Sequence, residues 1–169
     1  MKKLLVVVDV QNDFITGALG SQRAIAVLPC IRREISLRMS EGWEVAYTRD
    51  SHGRNYLSTQ EGRRLPVPHC IENTPGGDIV ENIYVGGKIF NKASFGCCEL
   101  GEYVRDNGYT DVEFIGVCTD ICVISNALLV KAYAPEVNIS VKAEACAGVS
   151  EESHQTALNA MRACQVDII

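Results

Sequence analysis

Cys122 stands in the stretch Gly116-Val117-Cys118-Thr119-Asp120-Ile121-Cys122-Val123, where the glycine ends a β-type run and Thr119 can cap the helix that follows. A thiol in a first helical turn feels the positive helix end and unpaired amide donors, which stabilise thiolate and lower its pKa. The position equally suits a small buried hydrophobe, since free cysteine is among the most buried residue types. Asp9 follows the apolar run Leu4 to Val8, and a carboxylate at the end of a buried strand is costly unless hydrogen-bonded or charge-paired. Lys92, just beyond a short strand over Lys88 to Asn91, is the candidate cation. A carboxylate, an ammonium and a thiol converging from three strand ends supply the base, charge stabilisation and nucleophile of a thiol hydrolase. Without convergence they are three unrelated polar residues at loop ends.

Asp50-Ser51-His52 offers two ligand-type side chains two residues apart, and the long loop over 49–87 adds Glu61 and His69 as further oxygen and nitrogen donors. Solvated surface residues would give the same pattern. His69-Cys70 resembles half of a structural zinc site, but no Cys-x-x-Cys or His-x-x-x-His pair completes one. Cys118-x-x-x-Cys122 spans one helical turn, a spacing open to a redox pair although it is not Cys-x-x-Cys.

The elements that must hold these residues alternate. Leu4 to Val8 reads as a strand covered on both faces. Leu28, Ile31, Ile35 and Met39 recur at helical spacing, which predicts a helix over Ile25 to Met39 with Pro29 near its first turn and Gly42 beyond its end. Strands are expected at Trp43 to Thr48, Lys88 to Asn91, Val112 to Ile115, Val137 to Val141 and Val166 to Ile169. Helices are expected at Leu100 to Asp106, from Thr119 to about Ala134, and from Ser150 through Leu158 and Met161. Residues 49–87 are polar, punctuated by Gly and Pro, and longer than a connector needs to be. Strands alternating with helices predict an α/β fold with a mostly parallel sheet and right-handed crossovers, whose ligands bind beyond the strand carboxyl ends at a switch point. Asp9, Asp50, Lys92 and Cys118 all fall at that edge.

At 169 residues the chain suits one domain over 1–169. Its net charge of −5 arises from interspersed acids and bases with no basic run, which argues against nucleic acid as a partner. Met1-Lys2-Lys3 and the apolar residues after it imitate a signal start, but Asp9 interrupts the run and no small-residue cleavage site follows. A cytoplasmic protein without a membrane partner is expected, its eight cysteines kept reduced.

Asp9-Val10-Gln11-Asn12-Asp13-Phe14, Thr48-Arg49-Asp50-Ser51-His52, Lys92 and the 116–123 stretch occur in the order seen in isochorismatase-like cysteine hydrolases, and the chain most resembles the nicotinamidase branch. The likeness continues through Ala145-Cys146-Ala147-Gly148 and Ser153-His154-Gln155. It implies a three-layer α/β/α sandwich, Rossmann-like, with six strands. It implies Asp9 as general base, Lys92 as the supporting cation and Cys122 as nucleophile. Backbone amides of Cys118 and Cys122 would form the oxyanion hole after a cis peptide at Val117-Cys118, and Phe14 would line the pocket. Asp50, His52 and His69, with Glu61 as a further candidate, would hold a divalent metal such as zinc that positions a substrate ring nitrogen, and no organic cofactor is implied. The expected activity is hydrolysis of a small amide through a thioester, nicotinamide to nicotinate plus ammonia, by a homo-oligomer such as a dimer or tetramer. Other small amides, such as N-carbamoyl or ureido compounds, are alternatives within the family, and a thiol-based redox or metabolite sensor is an alternative of a different class. Two features depart from the nicotinamidase pattern: Leu65 stands where a tryptophan is often found, and the segment Asn91 to Phe95 is short.

Overall fold

A computed structural model describes residues 1–169. Six strands form one parallel sheet in the order β3-β2-β1-β4-β5-β6: β1 is Lys2–Val8, β2 Glu44–Asp50, β3 Lys88–Lys92, β4 Tyr109–Val117, β5 Asn138–Ala147 and β6 Asp167–Ile168. The helices are α1 (Asn12–Ile15), α2 (Gln22–Ser40), α3 (Gln60–Arg64), α4 (Cys98–Asp106), α5 (Ile124–Tyr133) and α6 (Glu151–Ala163).

The sheet is central because β1 is apolar on both faces. Leu4, Val6 and Val8 pack with Leu100 of α4, Val130 of α5 and Met161 of α6. Leu5 and Val7 point the other way, toward Ile31 and Ile35 of α2. These five β1 side chains are each at most 1% exposed, and their burial contributes on the order of 10 kcal/mol. That is enough to offset several kcal/mol per ion for holding charged groups at the strand ends. The order of strands reverses between β1 and β4, so the crevice beyond their carboxyl ends is the switch point. Gly116 sits there opposite Val8 with φ +122°, and a Cβ would lie 2.2 Å from the Val8 carbonyl oxygen, so only glycine lets the two strands approach.

The sandwich, the six strands and the parallel pairing agree with the expected ones, whereas several element boundaries differ. Helix α2 begins at Gln22, because the Ser21 hydroxyl accepts from the Ala24 amide and Ala24 is buried, which leaves Pro29 inside the helix rather than near its first turn. Met39 is exposed, while Glu34 takes a buried place on the inner face. Strand β5 runs past Val141 to Ala147. The turn carrying Cys122 is π-helical over Thr119–Val123 before α5 begins. The 49–87 loop is a folded connection, with α3 capped by Thr59 and an isolated bridge between His52 and Ile71.

Candidate active site

Each strand of the switch-point half ends on a polar residue that faces the same crevice. Asp9 follows β1, Asp50 and Lys92 are the last residues of β2 and β3, and Cys118 follows β4 across a cis peptide from Val117, as expected. The Lys92 ammonium is the hub. It lies 2.6 Å from Asp9 Oδ2 and 2.6 Å from Asp50 Oδ1, it donates to the Ser94 carbonyl at 3.1 Å, and it is 3.5 Å from Cys122 Sγ. The Thr48 hydroxyl donates to Asp9 Oδ1 at 2.6 Å, fixing that carboxylate from the other side. Asp9, Asp50, Lys92 and Cys122 are all buried.

Burial sets the proton affinities. It pushes Asp9 above the ordinary carboxylate value, against the pull of the Lys92 ammonium. It works against the charge on Lys92, but Asp9, Cys122 and Asp50 outweigh it and raise that lysine above its usual range. Burial and then the Asp9 carboxylate push the Cys122 thiol well above its ordinary value, with Lys92 opposing them. This runs against the expectation of a thiol acidified by a helix end: in a π-helical turn inside a closed crevice, desolvation has the larger influence.

Beside this cluster, Asp50, His52, Glu61 and His69 turn their donor atoms toward one point, all within 4.8 Å of one another. Asp50 Oδ2 is 3.5 Å from His52 Nε2 and 3.8 Å from His69 Nε2, and Glu61 Oε1 is 3.8 Å from each imidazole nitrogen. A tetrahedral ion with bonds of about 2.1 Å places its ligand atoms about 3.4 Å apart, so the set needs only a small contraction. His52 Nε2 is buried with no hydrogen-bond partner, the mark of a nitrogen kept for a ligand. His69 Nδ1 is 2.8 Å from the Val67 carbonyl, which orients Nε2 inward. Burial works against ionisation of Asp50, but the two imidazoles and Lys92 outweigh it and hold its carboxyl well below the usual carboxylate range. The donor chemistry, the orphaned nitrogen and the oriented ring together fit a zinc-type divalent ion. Glu61 joins the set because Thr59 caps α3 and the Gly62 position lies against the Tyr56 carbonyl.

A cavity of about 300 Å³ opens over both clusters. Its walls are mainly apolar, with Phe14, Leu65, Phe95, Ile121 and Val149 around Cys118 and Cys122, and Asp50, Glu61 and His69 at one side. The Phe14 ring in this wall is 5.5 Å from that of His69. A polar cleft of about 270 Å³ that also borders Asp50 does not reach Cys122.

Three contributors escaped the sequence reading. Thr48, a strand residue by its sequence, holds Asp9 through its hydroxyl. Leu19 lines the cavity from the turn after α1. Gln11 is fully buried, donating to the carbonyls of Asp50 and Gly77 and accepting from the Asp50 amide, so it clamps the main chain that carries the first metal-type carboxylate. The available signal is a polar amide just past a buried strand and the apolar Val10, since a buried amide must be bonded on both sides.

A doubly wound α/β fold with a thiol, an ammonium and a carboxylate at its switch point, and a histidine and carboxylate group beside them, defines the class of this protein. The chain belongs to the isochorismatase family, whose domain matches residues 3–169. It is 31% identical to a nicotinamidase of Schizosaccharomyces pombe over 98% of this chain and 91% of the relative. It is 29% identical to a nicotinamidase/pyrazinamidase of Mycobacterium tuberculosis over 99% and 98% of the two chains. Among solved structures it superposes on a pyrazinamidase of Pyrococcus horikoshii in complex with zinc with TM-score 0.88 and 29% identity, covering 100% of this chain and 99% of that one.

Proposed function

We propose that the protein is a nicotinamidase-like amidohydrolase that cleaves a small heteroaromatic amide to a carboxylic acid and ammonia. The observation that carries this reading is the Lys92 ammonium, 2.6 Å from Asp9 and 3.5 Å from the sulfur of Cys122, which itself lines an apolar cavity walled on one side by Asp50, Glu61 and His69 of the metal-type group. The relatives named above act on such amides by name.

Asp9 takes the proton from Cys122 Sγ as the sulfur attacks the amide carbon, so that no free thiolate need persist in the resting site. The carbonyl π pair moves to oxygen, and the backbone amides of Cys118 and Cys122, both lining the cavity, receive the oxyanion. Asp9 returns the proton to the nitrogen, the carbon–nitrogen bond breaks, and ammonia leaves a thioester on Cys122. Water deprotonated by Asp9 then adds to the thioester, the carbon–sulfur bond breaks, and the acid leaves with the sulfur reprotonated. Lys92 keeps the charge on Asp9 and sulfur balanced throughout. Asp50, His52 and His69, with Glu61, are the residues that would hold zinc, whose chemistry when bound is to coordinate a ring nitrogen of the substrate. Phe14 packs against the ring.

The sensor alternative asks for a thiol that is exposed and acidic. Cys122 is buried and raised, and burial pushes the Cys118 thiol up to about 12. Eight free cysteines fit a reducing compartment, which supports the cytoplasm. No helix is long and apolar enough to cross a membrane. The exposed apolar side chains Leu57, Leu65, Phe95 and Val149 support a homo-oligomer.

Ammonia release from nicotinamide and a panel of primary amides, with and without zinc, tests the reading. Turnover of nicotinamide that disappears in a folded Cys122→Ala variant is the expected result; turnover retained by that variant, or no turnover of any amide, would overturn it.

A further inference from the structure

One fully buried side-chain amide, that of Asn126, belongs to none of the groups described above. It sits one turn beyond Cys122 in α5. Its Nδ2 donates to the Cys122 carbonyl at 2.8 Å and to the Phe95 carbonyl at 3.0 Å, and its Oδ1 accepts from the Cys97 amide at 3.0 Å. Three of the four hydrogen bonds open to an amide are thus made by one side chain. Two of them land on the segment joining β3 to α4. That segment follows Lys92 directly, and its Ser94 carbonyl accepts from the Lys92 ammonium. Phe95, half exposed, is a wall of the substrate cavity.

We propose that Asn126 is a positioning residue that sets the Phe95 wall relative to the nucleophile and so determines how tightly the ring of the amide substrate is held. The proposal rests on the amidohydrolase reading. A buried donor or acceptor left unpaired is unfavourable, so the Phe95 carbonyl and the Cys97 amide hold their places only while Asn126 answers both. Gly96 between them rests on the same helix, where a Cβ would come 3.2 Å from Leu129 Cδ2, so the segment has a seat to leave but little space within it. Loss of the tie frees the wall and spares the nucleophile turn, provided the bond to the Cys122 carbonyl is kept.

Asn126→Ser makes that separation, because a helical serine hydroxyl can donate to the carbonyl four residues earlier but is too short to reach the neighbouring segment. The experiment compares parent and variant in nicotinamide hydrolysis, in alkylation of Cys122 by iodoacetamide followed by peptide mapping, and in hydrogen exchange of the 94–97 segment. The expected result is a KM about tenfold higher with kcat within about threefold, Cys122 alkylation within about twofold, and faster exchange over 94–97. An unchanged KM in the folded variant, or Cys122 alkylation falling in step with kcat/KM, would overturn the proposal. Should the parent hydrolyse no amide, the functional reading fails on its own, and the exchange comparison still decides whether Asn126 holds the wall: acceleration supports it and unchanged exchange overturns it. Asn126→Thr, whose extra methyl refills part of the lost volume, carries the same comparison if the serine variant does not fold.

Discussion

The Lys92 ammonium lies 2.6 Å from Asp50 Oδ1, while Asp50 Oδ2 faces the imidazoles of His52 and His69. One carboxylate therefore joins the charge network around the nucleophile to the metal-type group, and a change at Asp50 perturbs both. Two buried carboxylates share one buried cation, and that cation is what makes their ionisation tolerable.

Replacing Lys92 by Met should leave Asp9 and Asp50 facing each other without a counter-charge. Breaking a buried ion pair by removing one partner costs about 3–5 kcal/mol, so the urea midpoint should fall accordingly. Ammonia release should drop by at least a hundredfold. Lys92→Arg should not restore it, because a planar fork does not fit a point-charge site between two carboxylates. A variant with parental stability would show that the three-way ion pair is not formed in solution.

Zinc should stabilise the protein through the Asp50, His52, Glu61 and His69 group. A ligand present at about 100 times its Kd adds about 2.7 kcal/mol to stability, so the thermal midpoint should rise with zinc and fall back on chelation. His69→Ala should abolish that response. Equal zinc-induced shifts in the parent and in His69→Ala would place the binding elsewhere.

Much of this site was legible because the sheet is parallel and its strand ends are sharp. The five apolar residues of β1 stop at Asp9, and three further strands end at or next to polar residues, so the edge could be assembled from type and spacing alone. What the sequence hid depends on burial. The position of Cys122 near a helix start suggests an acidic thiol, and only the closed crevice reverses that. Asn126 reads as an ordinary polar helix residue until the segment it holds is seen. Lys142 and Glu144 interrupt the apolar run after Val141, which hides the rest of strand β5; their side chains share one face, 3.5 Å apart, while Ala145 to Ala147 return to the core.

A second buried charge cluster, remote from the cavity, makes stability depend on pH. Glu113 of β4 lies 2.6 Å from Arg38 and shares it with Glu34 and Glu41. Burial, only partly countered by Arg38, pushes Glu113 up to about 7 from an ordinary 4.5. The folded state therefore binds this proton more tightly than the unfolded chain does. The stability it contributes is fully present below about pH 4.5 and is lost as pH rises through about 7. Glu113→Gln should flatten the dependence of the urea midpoint on pH in that window; an unaltered slope would show that Glu113 is ionised throughout.

Gln11 provides the sharpest separation of framework from chemistry, since it touches no reacting group. Its amide satisfies both the N–H and the C=O of Asp50 and also the Gly77 carbonyl. Gln11→Leu fills the same space and leaves the buried N–H and C=O of Asp50 unpaired, at about 1–3 kcal/mol for each, and strips the half-buried Gly77 carbonyl of its donor. Relaxation of those groups must move the Asp50 main chain, and Asp50 carries both the contact to Lys92 and the first oxygen of the zinc-type set. Zinc affinity, measured by competition with a chelator, should therefore fall at least tenfold in a variant that still folds, and amide turnover should fall with it. If zinc affinity stayed at the parental value while stability dropped, Gln11 would be a structural clamp only, and the position of Asp50 would be set by the sheet without it.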